Sequence, residues 1–309
     1  MITPDDAIEA IRGSGGARPG YRALHAKGKL YRGTFIADRE AAGLTRARHM
    51  NGSPVPILVR FSNGSGRPDP RDGAPGIRGM AVKFTLPDGS TTDVSMQTAK
   101  LFPVGTPDGF VGLLRAMRAN LATPVRIAKL LAANPKLPRS LLRAGAPKVP
   151  VSYATIDYHG LHAFRWVDAD GGSRFVRYHL SPAAGEQFLR LPSALSKDPD
   201  FLTDELDRRV ADGPVRFYFR VQLAGPKDST VDPSASWKNK TMVTVGTLDI
   251  TGIDTEREKD GDIVVFDPMR VTDGIEPSDD PVLRFRTHAY SASVKLRSGV
   301  DRGAEAPPG

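Results

Sequence analysis

Few kinds of side chain in this sequence are able to do chemistry. There is no cysteine, which excludes thiol nucleophiles, disulfides, cysteine-held clusters and thiolate ligation of iron. The six histidines, His25, His49, His159, His162, His179 and His288, show no HExxH or comparable zinc spacing. No GxSxG elbow, Walker A loop or strand-linked GxGxxG is present, which argues against esterase, nucleotide and dinucleotide chemistry.

Three segments remain. In Arg22-Ala23-Leu24-His25-Ala26-Lys27-Gly28 an arginine lies three residues before a histidine, a residue that either bonds structurally or moves a proton near neutral pH. Val59-Arg60-Phe61-Ser62-Asn63-Gly64 reads as a strand running into a loop, in which Arg60 points to the face opposite Val59 and Phe61 and calls for an anion there. Pro277-Ser278-Asp279-Asp280-Pro281 opens a helix that runs through Arg286, His288 and Tyr290 to Lys295 and Arg297. Arg286 and Tyr290, four apart, share a helical face. There the guanidinium either stacks on a surface ring or stabilises a phenolate, lowering a pKa that starts near 10. A phenolate is a hard anionic ligand for Fe(III).

The elements that must position these residues are mostly strands. Tyr31–Phe35, Pro56–Phe61, Met80–Leu86, His162–Val167, Ser173–His179, Val215–Leu223, Thr241–Ile250 and Asp262–Phe266 are rich in β-branched and aromatic residues or alternate cleanly. A short helix is expected over 4–12, ended by the glycine-rich stretch from Gly13 to Gly20, and helices interrupted near Pro124 between Gly109 and Ala133. About eight strands without βαβ alternation predict an α+β fold, an antiparallel β-barrel core with surrounding helices.

The chain of 309 residues is read as one domain. Its core spans about 21–297, a helical insert lies at 112–148, and residues 298–309 form a disordered tail. The formal charge of +8 comes from basic residues spread along the chain, densest from Arg115 to Lys148. Without a nucleic-acid motif this is a basic surface and not a nucleic-acid site. No signal peptide and no apolar run of about 18 residues is found, so a cytoplasmic protein without a membrane span is expected.

Taken in order, these segments resemble the catalase superfamily, in particular the short catalase-related haem peroxidases that lack the arms and C-terminal domain of full-size catalases. RALHAKG is similar to the distal segment, VRFSNG and GIRGMAVKF to two barrel strands, and GIEPSDDPVLRFRTHAY to the proximal helix. The resemblance covers about Tyr21 to Arg297.

It implies a haem b held by Tyr290 as iron ligand, with Arg286 keeping that ligand a phenolate. It further implies propionate contacts from Arg22, Arg60 and Arg297, and an aromatic near the haem face at Phe110. His25 becomes the distal acid–base, oriented by Ser62. Where full catalases carry a distal asparagine, this chain has Thr98, or Gln97 if the register slips, which favours peroxidase behaviour over disproportionation. The implied function is reduction of hydrogen peroxide or organic hydroperoxides by a small organic donor, with weak catalase activity, in a homodimer. The alternatives are a fatty-acid hydroperoxide isomerase and a non-catalytic haem-binding protein.

Overall fold

The computed structural model describes residues 3–15, 18, 20–116, 123–135, 137–138, 147–259 and 262–298. Twelve strands are found among them. β1 (Gly28–Ala37), β2 (Val55–Asn63), β3 (Arg78–Thr85) and β4 (Thr91–Gln97) follow one another as antiparallel neighbours. β5 (Val149–Pro150) pairs with β9 (Phe188–Leu189) in a small separate sheet. β6 (Tyr158–His159), β7 (Phe164–Val167), β8 (Ser173–Pro182), β10 (Val215–Leu223), β11 (Met242–Ile253) and β12 (Ile275–Pro277) complete the main sheet.

That sheet closes on itself. Its order β10-β11-β1-β2-β3-β4-β6-β8 returns to β10 through a β10–β8 ladder, giving an eight-stranded antiparallel barrel, while β7 and β12 extend from β8. Closure leaves the barrel strands no free edge to pair with another chain.

Period-2 alternation divides each strand between a filled interior and an outer wall. Tyr31, Val59, Phe61, Met80, Val82, Phe84, Val94, Met96, Phe217 and Phe219 share one buried cluster. Their aromatic rings meet mostly edge-on or tilted, as at Phe35–Phe84 with centroids 5.2 Å apart and an 83° angle. Each buried phenylalanine contributes roughly 1.5–3 kcal/mol. The barrel is therefore a packed core rather than a container, and any site must be built on its outer wall.

Among the described residues the helices around it include α1 (Pro4–Gly15), α2 (Arg39–Ala42), α3 (Pro107–Ala116), α4 (Thr123–Ala133), α5 (Leu191–Leu195), α6 (Phe201–Asp212) and α7 (Pro281–Arg297). Ala7, Ile8, Ala10, Ala23, Val111 and Leu114 form a second cluster that joins α1 and α3, with Phe285 of α7 packed against it.

The expected antiparallel barrel with surrounding helices is what is found. Asp262–Phe266 is not a strand. It runs as irregular chain, with Val264 and Phe266 packed on Leu30 over the outer wall, so its alternation reflects one face packed on a sheet rather than a ladder. Among the elements that carried too little signal to be expected are β4, because its threonines and Asp93 dilute the pattern; β6, β5, β9 and β12, because two or three residues show no period; the short helices α2 and α5; and α6, despite Leu202, Leu206 and Val210 at helical spacing. Between α3 and α4 lie residues 117–122, which with 139–146 of the expected insert and 299–309 of the expected tail fall outside the described residues.

Candidate active site

The outer wall of β2, β3 and β4 carries two adjacent rows of residues. Ser62, Gly79 and Gln97 stand opposite one another in register, and Arg60, Ala81 and Ser95 form the next row. Rows two residues apart along a strand lie about 7 Å apart. His25 rests on the first row and Arg286 on the second, which brings residues 261 positions apart in sequence to one patch of wall.

His25 occupies the left-handed region at φ 57°, a conformation uncommon for residues other than glycine. Arg60 holds it there. Its Nη1 donates to the carbonyl of His25 at 3.0 Å and its Nη2 to that of Ala26 at 3.2 Å. The imidazole Nδ1 lies 3.0 Å from Ser62 Oγ. The ring packs on Gly79, where an added Cβ would meet His25 Nδ1, Cε1 and Ser62 Oγ at 2.7 Å each. Glycine is required at that spot because the ring lies where a side chain would start. Burial, then the positive charges of Arg60, Arg286, Arg22 and Arg78, push the imidazole down to about 3, so His25 is neutral near pH 7.

The opposite side is a polar chain. Asp280 caps α7 by accepting from the Val282 and Leu283 amides at 2.8 and 3.2 Å through Oδ1. Its Oδ2 lies 2.7 Å from His162 Nδ1. Burial lowers the pKa of His162. The neutral ring that results donates from Nδ1 to Asp280 and accepts at Nε2 from Arg286 Nη1, 3.2 Å away. Arg286 also donates from Nη2 to Ser95 Oγ at 3.1 Å, and from both Nε and Nη2 to the Tyr290 phenol oxygen, the Nε contact being 3.2 Å. A phenol oxygen that accepts two guanidinium bonds is set up to carry negative charge.

At the rim, three further arginines converge. Arg22 pairs with Glu258 and donates to the Val264 carbonyl at 2.9 Å. Arg60 is 5% exposed, and its Nε is buried without a hydrogen-bond partner among the described residues. Burial and then Arg22 lower Arg60 to about 9; Arg297, itself buried, acts the same way and Glu258 opposes. A cleft lined by Arg22, Lys27, Arg60 and Glu258 opens beside them.

Phe110 and Thr98 lie around this patch as follows. Phe110 faces Phe102, with centroids 5.1 Å apart, in a layer whose other ring neighbour is His162, 6.3 Å from Phe102. Thr98 follows the last residue of β4: its amide donates to the Arg78 carbonyl at 3.0 Å and its hydroxyl accepts from the Arg78 amide at 3.1 Å. It is Gln97 that shares a row with Gly79 and Ser62.

Sequence reasoning assigned no role to His162, Asp280, Ser95 or Gly79. Asp280 before Pro281 is a visible helix-cap signature. His162 had no local signal, because its partners lie 118 and 124 positions away.

The catalase family model matches residues 8–303. The chain belongs to the catalase family. It is 69% identical over 308 residues to a catalase-related peroxidase of Mycolicibacterium paratuberculosis (strain ATCC BAA-968 / K-10), covering 99% of this chain and 98% of that one. A catalase-related peroxidase of Synechococcus elongatus (strain ATCC 33912 / PCC 7942 / FACHB-805) is 32% identical over 96% of this chain and 89% of its own. A fungal catalase crystal structure superposes with a TM-score of 0.77 at 21% identity, covering 91% of this chain but 59% of that one. The same barrel is thus present in a shorter chain than that catalase.

Proposed function

We propose that this chain is a haem-dependent peroxidase that reduces hydrogen peroxide or organic hydroperoxides with a small organic electron donor. That it is an oxidoreductase acting on peroxide follows from its family and from the two relatives named catalase-related peroxidases. The cofactor, the donor and the residue roles are our reading.

The observation that carries it is the tyrosine. Tyr290 stands with both a guanidinium Nε and Nη2 on its oxygen, and that guanidinium is fixed in turn by His162, Asp280 and Ser95. Such a construction serves an anionic oxygen ligand for iron and has no evident purpose for a surface tyrosine. The rest of the patch fits haem b as well. Arg60, with a buried Nε lacking a partner, and the neighbouring Arg22 and Arg297 supply positive charge for the propionates.

When bound, the haem supplies the redox chemistry of peroxide cleavage. The chain's own residues do the rest. Neutral His25 would accept a proton from the bound peroxide and return it to the departing oxygen, which is general acid–base catalysis. Ser62 sets the ring's direction, Gly79 lets it lie close to the wall, and Arg60 fixes its backbone. Arg286 holds the charge on Tyr290.

The balance between donor oxidation and disproportionation is set where full catalases carry an asparagine. Thr98 spends its hydroxyl on the Arg78 amide, so the amide beside the Gly79 row is that of Gln97, one methylene longer than asparagine; a second peroxide is then held less well and donor oxidation is favoured. Purified protein should show a Soret band, oxidise a phenolic donor with hydrogen peroxide, and evolve oxygen slowly. A protein from haem-sufficient cells without a Soret band would overturn the proposal. Disappearance of a lipid hydroperoxide without any donor would favour the isomerase alternative. We read residues 21–297 as one haem domain, and a homodimer in the cytoplasm as its working state; among the described residues no helix is long and apolar enough to cross a membrane.

A further inference from the structure

We infer that Asp157, His159 and His179 form a binding site for a divalent first-row metal ion, Zn2+ being the best match, on the barrel wall where the row Ser62–Gly79–Gln97 continues onto β6 and β8. The register creates the arrangement. Tyr158 and Tyr178 point into the core, so their neighbours Asp157, His159 and His179 face outward. His159 of β6 stands directly opposite His179 of β8, and Asp157 precedes it by two positions on the same face.

One ligand atom from each of the three lies within 4.8 Å of the others. His179 Nε2 is 3.1 Å from Asp157 Oδ2, and the two imidazole centroids are 4.5 Å apart, tilted by 39°. Zinc bound tetrahedrally at about 2.0–2.1 Å places its ligands a little over 3 Å from each other, so the pair is already at that spacing and the third has a short way to close. Moreover, His179 Nε2 is buried, and its contact with the Asp157 carboxylate, which lowers that carboxyl's pKa, falls outside good hydrogen-bonding geometry among the described residues. A nitrogen so placed suits a metal better than it suits that ion pair.

Two imidazoles and a carboxylate are a ligand set that zinc accepts, leaving the fourth position to water. Lys100 contributes positive charge near His159 and Arg220 stands opposite His179 in register, which limits the site to modest affinity.

The place has a structural logic. β6 joins β4 through the single pair Gln97–His159 and β8 through two, making this the thinnest seam of the barrel. A metal joining β6 to β8 would clamp it. Gln97 in turn stands beside Gly79, the residue on which His25 rests.

The test uses tag-free holoenzyme, stripped with a chelator that leaves haem in place and titrated with zinc sulfate near neutral pH by calorimetry. One saturable site per chain is expected, with a thermal midpoint raised by about 5 °C at saturating zinc. His159→Asn and His179→Asn should each weaken binding at least about tenfold while the Soret band is unchanged. Asp157→Asn, a quarter exposed, keeps the test available if a histidine variant fails to fold. Absence of saturable binding, or binding equal in all three variants, would overturn the site and leave a plain ion pair.

Discussion

The two sides of the proposed haem site are built on opposite principles. On the α7 side, Asp280, His162, Arg286 and Tyr290 form an unbroken polar chain in which each member fixes the next. On the wall side, His25 is held by shape. A left-handed backbone is pinned by Arg60, a glycine lies beneath the ring, and one hydroxyl meets Nδ1. The first design fixes a charge, which needs partners that answer one another electrostatically. The second fixes a direction, and leaves an imidazole free to gain and lose a proton. The roles proposed for Tyr290 and His25 ask for that difference: a ligand must not change its protonation state during turnover, whereas an acid–base must.

Changes on the two sides should therefore fail in different ways. Tyr290→Phe is expected to have the largest effect, stripping the haem or transforming its absorption spectrum; an unchanged spectrum and activity would refute the proximal assignment. His25→Ala should retain haem and an almost unaltered spectrum, while reaction with peroxide slows by about two orders of magnitude or more in stopped-flow measurements. Loss of haem in that variant would erase the distinction drawn above.

Gly79→Ala sharpens the shape argument. Its methyl would meet the imidazole and Ser62 at 2.7 Å, so the ring must turn, and kcat should fall by about tenfold or more with haem content preserved. Asp280→Asn tests the chain: the cap can survive, but the partner of His162 loses its charge. A spectral change together with a loss of about 1 kcal/mol in stability is expected, the latter read from denaturant unfolding.

The smallest effect concerns pH. Burial holds His25 and His159 to about 3 and His49 to about 4 in the folded protein, against an ordinary value of about 6.5. Unfolding lets them take up protons, so the stability they contribute is complete above about pH 6.5. It falls as the pH drops from there toward 4 and 3. Thermal midpoints measured across that window should decline with acid, and a midpoint constant between pH 7 and 4 would contradict the buried, neutral histidines.

Legibility in the sequence followed the range of the interactions. The helix bearing Arg286 and Tyr290 was visible because Pro281 and the four-residue spacing are local signals. β2 and β10 were visible because their alternation is long and clean. Asp262–Phe266 was misread because a segment packed flat on a sheet alternates like a strand. His25, Ser62 and Arg60 could be nominated as types and as members of a familiar series, but nothing local revealed that Arg60 grips the carbonyls of His25 and Ala26 while it faces the cleft.

By itself the sequence determined the donor chemistry, an α+β chain without cysteine whose phenol and arginine share a helix face, because residue type and local periodicity are written in the chain. Only the tertiary structure decided that the barrel closes through β10 and β8, that His162 completes the link from Asp280 to Tyr290, and that Gln97 rather than Thr98 faces the Gly79 row. Each of these depends on strand register or on contacts across a hundred residues or more, and register is set by which faces are buried together.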